Sequence, residues 1–195
     1  MQFKFGFRMA QIKYLLFFLA VSSLQAKTLD LGDGVLVEYT AKGNPGLLVI
    51  NGKGAKAKGF LKNENKTLNG SFVLNLKEFN SDIEMRDEHL RENYLEIHKA
   101  GFDQAKLVMN DVAMEDFPEN GKWIQNSVKG MLTFHGVTKE IILQTDLAGV
   151  ESVIKGKISF KIKLKDFNIE IPSFAGITVA EEVTIAANIN NKASP

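Results

Sequence analysis

The densest group of chemically able side chains lies in residues 86–98 (RDEHLRENYLEIH), where Arg86, Asp87, Glu88 and His89 follow one another. A histidine beside a carboxylate could serve as a base with its orienting partner, and paired histidines could hold a metal. Neither arrangement is met by the spacing. Asp87 and His89 are two residues apart, which points them to different sides of a helix. His98 and His135 do not stand at ligand spacing from His89, and the chain has no cysteine to complete a zinc site. Three scattered histidines fit solvent-facing or capping roles, and no metal is expected.

Other chemistries fare no better. There is no G-x-S-x-G elbow, and no serine has an evident base beside it. Gly52-Lys53-Gly54-Ala55-Lys56-Ala57 has the G-x-G-x-x-A form after an apolar run. A dinucleotide site needs a helix next, but an alternating Lys/Ala segment and an Asn-rich turn follow. The residues read as a glycine-rich strand bend. No cofactor is expected, and an enzyme ranks last among the functions.

The charged cluster itself has the marks of a short helix. Ser81-Asp82-Ile83-Glu84 has the capping-box form, with Ser81 set to accept from the Glu84 amide and Glu84 to reach back. Ile83, Leu90 and Tyr94 fall on one helical stripe. Asp82 with Arg86, and Asp87 with Arg91, have the spacing of surface ion pairs. The expectation is one amphipathic helix inserted between strands.

Elsewhere the apolar period is two. In residues 154–165, Ile154, Ile158, Phe160, Ile162 and Leu164 alternate with lysines, giving one dry and one wet face. The same alternation appears at Val35, Val37 and Tyr39; at Phe72, Leu74 and Leu76; and at Ala105, Leu107 and Met109. It continues at Val128, Leu132 and Phe134; at Ile141, Leu143 and Leu147; and at Val183, Ile185, Ala187 and Ile189. Residues 47–50 and 55–61 read as two weaker strands. Turn signals stand at Asn44-Pro45-Gly46, residues 63–65, Asn69-Gly70, residues 118–121 and His135-Gly136. About eight short strands with hardly any crossover helices imply an antiparallel sheet closed on itself. A two-sheet sandwich has the same signature.

The first 26 residues have the layout of a secretory signal peptide. Lys4, Arg8 and Lys13 precede the apolar run of residues 14–21, and Ala26 ends a small-residue tract. That run is too short to span a bilayer; a retained anchor is the runner-up. Cleavage leaves 169 of 195 residues, one domain of sizeable core over residues 27–195. It also turns 24 basic against 23 acidic residues into 21 against 23, so the formal charge moves from +1 to −2. A near-neutral chain has no electrostatic drive toward nucleic acid, and the lysines of residues 155–165 read as a solubilising face.

Two segments resemble a known family. Residues 72–79 followed by Met85-Arg86-Asp87-Glu88-His89-Leu90 resemble the strand and "R-D-x-H-L" helix of YceI-like proteins. Residues 130–139 (GMLTFHGVTK) resemble that family's "G-x-L-T-x-H-G-V-T-K" hairpin, and residues 166–183 its closing strands. The resemblance covers roughly residues 47–190. It departs in residues 47–61 and in an insert at 115–123.

The resemblance implies an all-β fold: an extended, lipocalin-like, eight-stranded antiparallel barrel with a short inserted helix and a hydrophobic cavity. It implies a periplasmic or secreted bacterial protein that binds polyisoprenoid or other amphiphilic lipids without catalysis. An isoprenoid or fatty-acyl lipid, such as a prenyl quinone, is the expected partner, with no membrane span after leader removal; a homodimer is compatible. Arg86, Asp87, His89 and Leu90 would organise the helix beside the barrel. The cavity wall is expected from the dry faces, at Phe72, Leu74, Leu76, Leu132, Phe134, Ile158, Phe160 and Ile162. Those residues could equally meet in a filled core, since eight strands can be plugged by their own side chains. A secreted structural or stress-related interaction module with such a core is the alternative.

Overall fold

A computed structural model describes residues 26–44, 48–115, 117, 123–150, 153–174 and 177–192. Residues 1–25 of the expected leader and the turn at residues 118–121 lie outside these residues, as do Pro45 and Gly46 of the first turn.

Eight strands close into an antiparallel barrel, which resolves the choice between barrel and sandwich. In chain order the strands are β1 (Lys27–Asp30), β2 (Val35–Asn44), β3 (Val49–Glu64), β4 (Thr67–Asn75), β5 (Gln104–Ala113), β6 (Trp123–Phe134), β7 (Val137–Val150), β8 (Val153–Lys163), β9 (Ser173–Phe174) and β10 (Ile177–Lys192). The barrel runs from β2 through β3, β4, β5, β6, β7 and β8 to β10, which pairs back onto β2. β1 lies along the second half of β3, and β9 along the start of β10. Closure satisfies the edge amides that an open sheet would leave exposed.

The alternation seen in the sequence sets which side of each strand faces in. In β8, Ile154, Ile158 and Ile162 are buried, while Lys155, Lys157, Lys161 and Lys163 are exposed. In β10, Val183 and Ile189 are buried on the same face as Ile185 and Ala187.

Two local expectations are corrected. Residues 47–50 and 55–61 do not form two strands: Val49–Glu64 is one strand, bent by a bulge where Val37 faces Ala55 but Tyr39 faces Gly52. Gly54 takes a φ of 91° at this bend, as the glycine-rich bend predicted. Asn69-Gly70 is not a turn but lies inside β4, with a register shift there against β5. The β3–β4 turn instead sits at Asn65 and Lys66, both left-handed, which suits a tight hairpin.

The excursion between β4 and β5 carries the helical elements. A 3₁₀ turn (Leu76–Glu78) leads to α1 (Glu84–His89), which continues as a π turn (Leu90–Tyr94). The connection from β8 to β9 begins with a second 3₁₀ turn, Leu164–Phe167. Among the described residues no helix is long and apolar enough to cross a membrane.

Candidate binding cavity

The barrel has two ends of different construction. At the lower end lie the β3–β4 turn, the end of β5 and of β7, and the start of β6 and of β8. Here Leu61, Leu68, Met109, Leu143 and Leu147 are buried in the core. At the upper end, between the β4–β5 excursion and the start of β10, lies a cavity of about 600 Å³.

All eight residues expected on the wall border this cavity: Phe72, Leu74, Leu76, Leu132, Phe134, Ile158, Phe160 and Ile162. Val35, Val37, Ala41, Ala57, Ala105, Leu107, Val183, Ile185 and Ala187 are among the other strand residues on the wall. The inward alanines matter, because a row of leucines at those positions would close the space.

The excursion supplies a further part of the wall. Ile83, Met85, Arg86, His89, Leu90, Tyr94 and Leu95 all border the cavity. The stripe Ile83–Leu90–Tyr94 therefore faces the barrel mouth as expected. Ile83 and Met85 remain 52% and 66% exposed, so the mouth has an apolar lip.

The charged cluster holds this segment in place, though not by the expected bonds. No capping box forms, and Ile83 occupies the N-cap without a side-chain bond. Instead the buried carboxylate of Asp87 accepts from the Ser81 amide at 3.0 and 3.1 Å, and from the Ser81 hydroxyl. Arg86 donates from Nε to Ser81 Oγ at 2.8 Å and from Nη2 to the Ser81 carbonyl at 2.6 Å. Ser81 thus joins the two charges, which offsets the cost of burying Asp87. Asp82 pairs with Lys53 at 2.8 Å rather than with Arg86, and Asp87 is committed to Ser81 rather than to Arg91. Lys53 and Asn80 also exchange two backbone hydrogen bonds of 2.9 Å. The β3 bulge frees the Lys53 backbone for this anchor.

Polar side chains on the cavity wall are few: Tyr39, Tyr94, Arg86, His89 and Ser173. Tyr39 lies across Gly52, where an added Cβ would fall 1.9 Å from the ring. Its ring meets Phe79 edge-on, with centroids 5.1 Å apart at 77°. Burial, and then the negative charge of Asp87, push the phenol from 10.0 up to about 12. Tyr39 is therefore a neutral group at ordinary pH, inside an apolar wall.

His135 was missed as a structural residue; it is buried, not solvent-facing. It occupies a left-handed turn position, with Gly136 after it (φ 48° and 73°). Its Nδ1 lies 2.9 Å from the Phe167 carbonyl, its Nε2 3.3 Å from Glu96, and its ring packs on Phe102. The imidazole thus joins the β6–β7 turn to the two loops around the cavity mouth. The signal available in the sequence was a histidine where such turns favour Asn or Asp. His98 is exposed, 3.3 Å from Glu92. Among the described residues no group of three or more His, Asp or Glu is placed to hold a metal.

A YceI-like domain profile matches residues 37–191. The chain belongs to the YceI-like domain family. No curated protein matches it. Among solved structures, this YceI-like chain is similar to a polyisoprenoid binding domain from Saccharophagus degradans implicated in plant cell wall breakdown. The likeness has a TM-score of 0.65 at 12% identity and covers 87% of this chain and 100% of that one. It is also similar to BcnA from Burkholderia cenocepacia, with a TM-score of 0.63 at 17% identity, covering 83% and 98%. At these identities the likeness establishes a shared YceI-like barrel.

Proposed function

We propose that this YceI-like barrel binds an amphiphilic lipid of the polyisoprenoid class and does no catalysis. The tail lies in the cavity and the headgroup at the mouth, beside Arg86 and His89. The observation that carries this reading is the cavity itself: about 600 Å³ inside a closed barrel, walled almost wholly by apolar side chains. Each methylene moved from water into such a space gains about 0.8 kcal/mol. A prenyl or acyl tail needs few polar contacts to bind there, and a prenyl quinone is a fitting occupant. The name of the Saccharophagus degradans domain supports the same class of ligand. The alternative with a wholly filled core does not suit the hollow upper end.

The leader-like residues 1–26 support export to the periplasm or beyond, with cleavage after Ala26, and action there as a carrier or sequestering protein, alone or as a homodimer.

Organic extraction of the purified protein followed by mass spectrometry tests the reading. A co-purified isoprenoid or acyl lipid, or stoichiometric uptake of added prenyl quinone, is expected. Repeated absence of both overturns it.

A further inference from the structure

Beneath the cavity the barrel is plugged in a particular way. Two rows of paired residues cross its wall, each with a glycine between two large side chains. In the first, Leu61 of β3 and Met109 of β5 flank Gly70 of β4. A Cβ on Gly70 would lie 2.8 Å from Met109 Cε and 2.9 Å from Leu61 Cδ2. In the second, Leu147 of β7 and Ile189 of β10 flank Gly156 of β8. A Cβ there would lie 2.5 Å from Leu147 Cδ2. The missing side chains give the neighbours room to lean across the bore. Leu61, Met109, Leu147 and Ile189 are all at most 4% exposed, and none of them borders the cavity.

We propose that this plug is a stop that sets how much lipid tail the protein encloses. The inference rests on the lipid-binding reading and adds a chain length to it. At roughly 30 Å³ per methylene-sized unit, the share of one water molecule in the liquid, about 600 Å³ holds on the order of 20 non-hydrogen atoms. That is about four isoprene units. Carbons beyond this number stay at the mouth, in water, and add no burial.

The test uses delipidated protein and prenyl alcohols of two, three, four and nine isoprene units, with affinities from titration and native mass spectrometry. Affinity should rise by at least about tenfold per unit up to about four, then level off to nine. Met109→Ala, which shortens the plug, should move the levelling point to a longer chain. Ala187→Leu, which fills open space on the cavity wall without disturbing the plug, should move it to a shorter one. A continued rise through nine units in the unmodified protein overturns the stop. So does a levelling point that neither variant moves. Binding of no alcohol at any length removes the lipid-binding reading and the stop with it.

Discussion

The lower and upper ends of the barrel are made by the same strands with the same alternation, yet one is solid and the other hollow. At the lower end, large inward residues such as Leu61, Met109 and Leu143 meet beside glycines and fill the bore. At the upper end, inward alanines at positions 41, 57, 105 and 187 leave room, and the β4–β5 excursion spans the mouth instead of a tight turn. Alternation decides which face is dry. The sizes of the residues meeting across the bore decide whether that dry face encloses a guest.

The contrast predicts unequal costs for truncation. Leu143 is fully buried in the solid end, so Leu143→Ala should cost about 2–5 kcal/mol. Phe160 already faces open volume, so Phe160→Ala should cost clearly less despite deleting more atoms. Urea unfolding of the two variants measures this, and equal costs would mean that the upper end is packed as tightly as the lower.

The β4–β5 excursion, which roofs the cavity, gives a sharper comparison. Asp87→Asn keeps the size of the side chain but removes the charge that receives Ser81 and balances Arg86. A loss of about 1–3 kcal/mol is expected. Hydrogen exchange should quicken in residues 81–95 while β6 and β7 stay protected, because the bonds lost lie only on the roof.

The smallest effect concerns Tyr39. A group whose folded pKa is raised stabilises the fold fully below its unfolded pKa, and that contribution fades as pH climbs through the folded value. The phenol therefore supports the fold up to about pH 10.0 and loses this support toward about 12. Tyr39→Phe should unfold less steeply over that alkaline range, by about 1–2 kcal/mol, as followed by circular dichroism. An unchanged alkaline slope would indicate a phenol open to water.

Much of this was legible along the chain. Period-two runs such as residues 154–165 marked the strands and their inward faces, while their number fitted a sandwich as well as a closed barrel. Phe72, Leu132 and Ile158 could be assigned to the interior because each sits on a clean alternation. The bonds of the roof were less legible. Ser81 and Glu84 have capping-box spacing, but whether Ser81 serves the helix amides or the Asp87 carboxylate depends on where Asn80 is anchored. That anchor is Lys53, a residue distant in sequence and exposed by a bulge. His135 was hidden for a similar reason: its partners come from two distant loops, Glu96 and Phe102 from the β4–β5 excursion and Phe167 from the β8–β9 connection.

The amino-acid order by itself determined the strand pattern, the dry faces and the place of the helix, since these follow from local periodicity and from the short reach of neighbouring side chains. Only the tertiary structure decided that the upper bore is open, that the lower bore is plugged, and that Asp87 and Arg86 are joined through Ser81. Those features depend on which side chains from distant strands share one volume, and no local pattern encodes that sum.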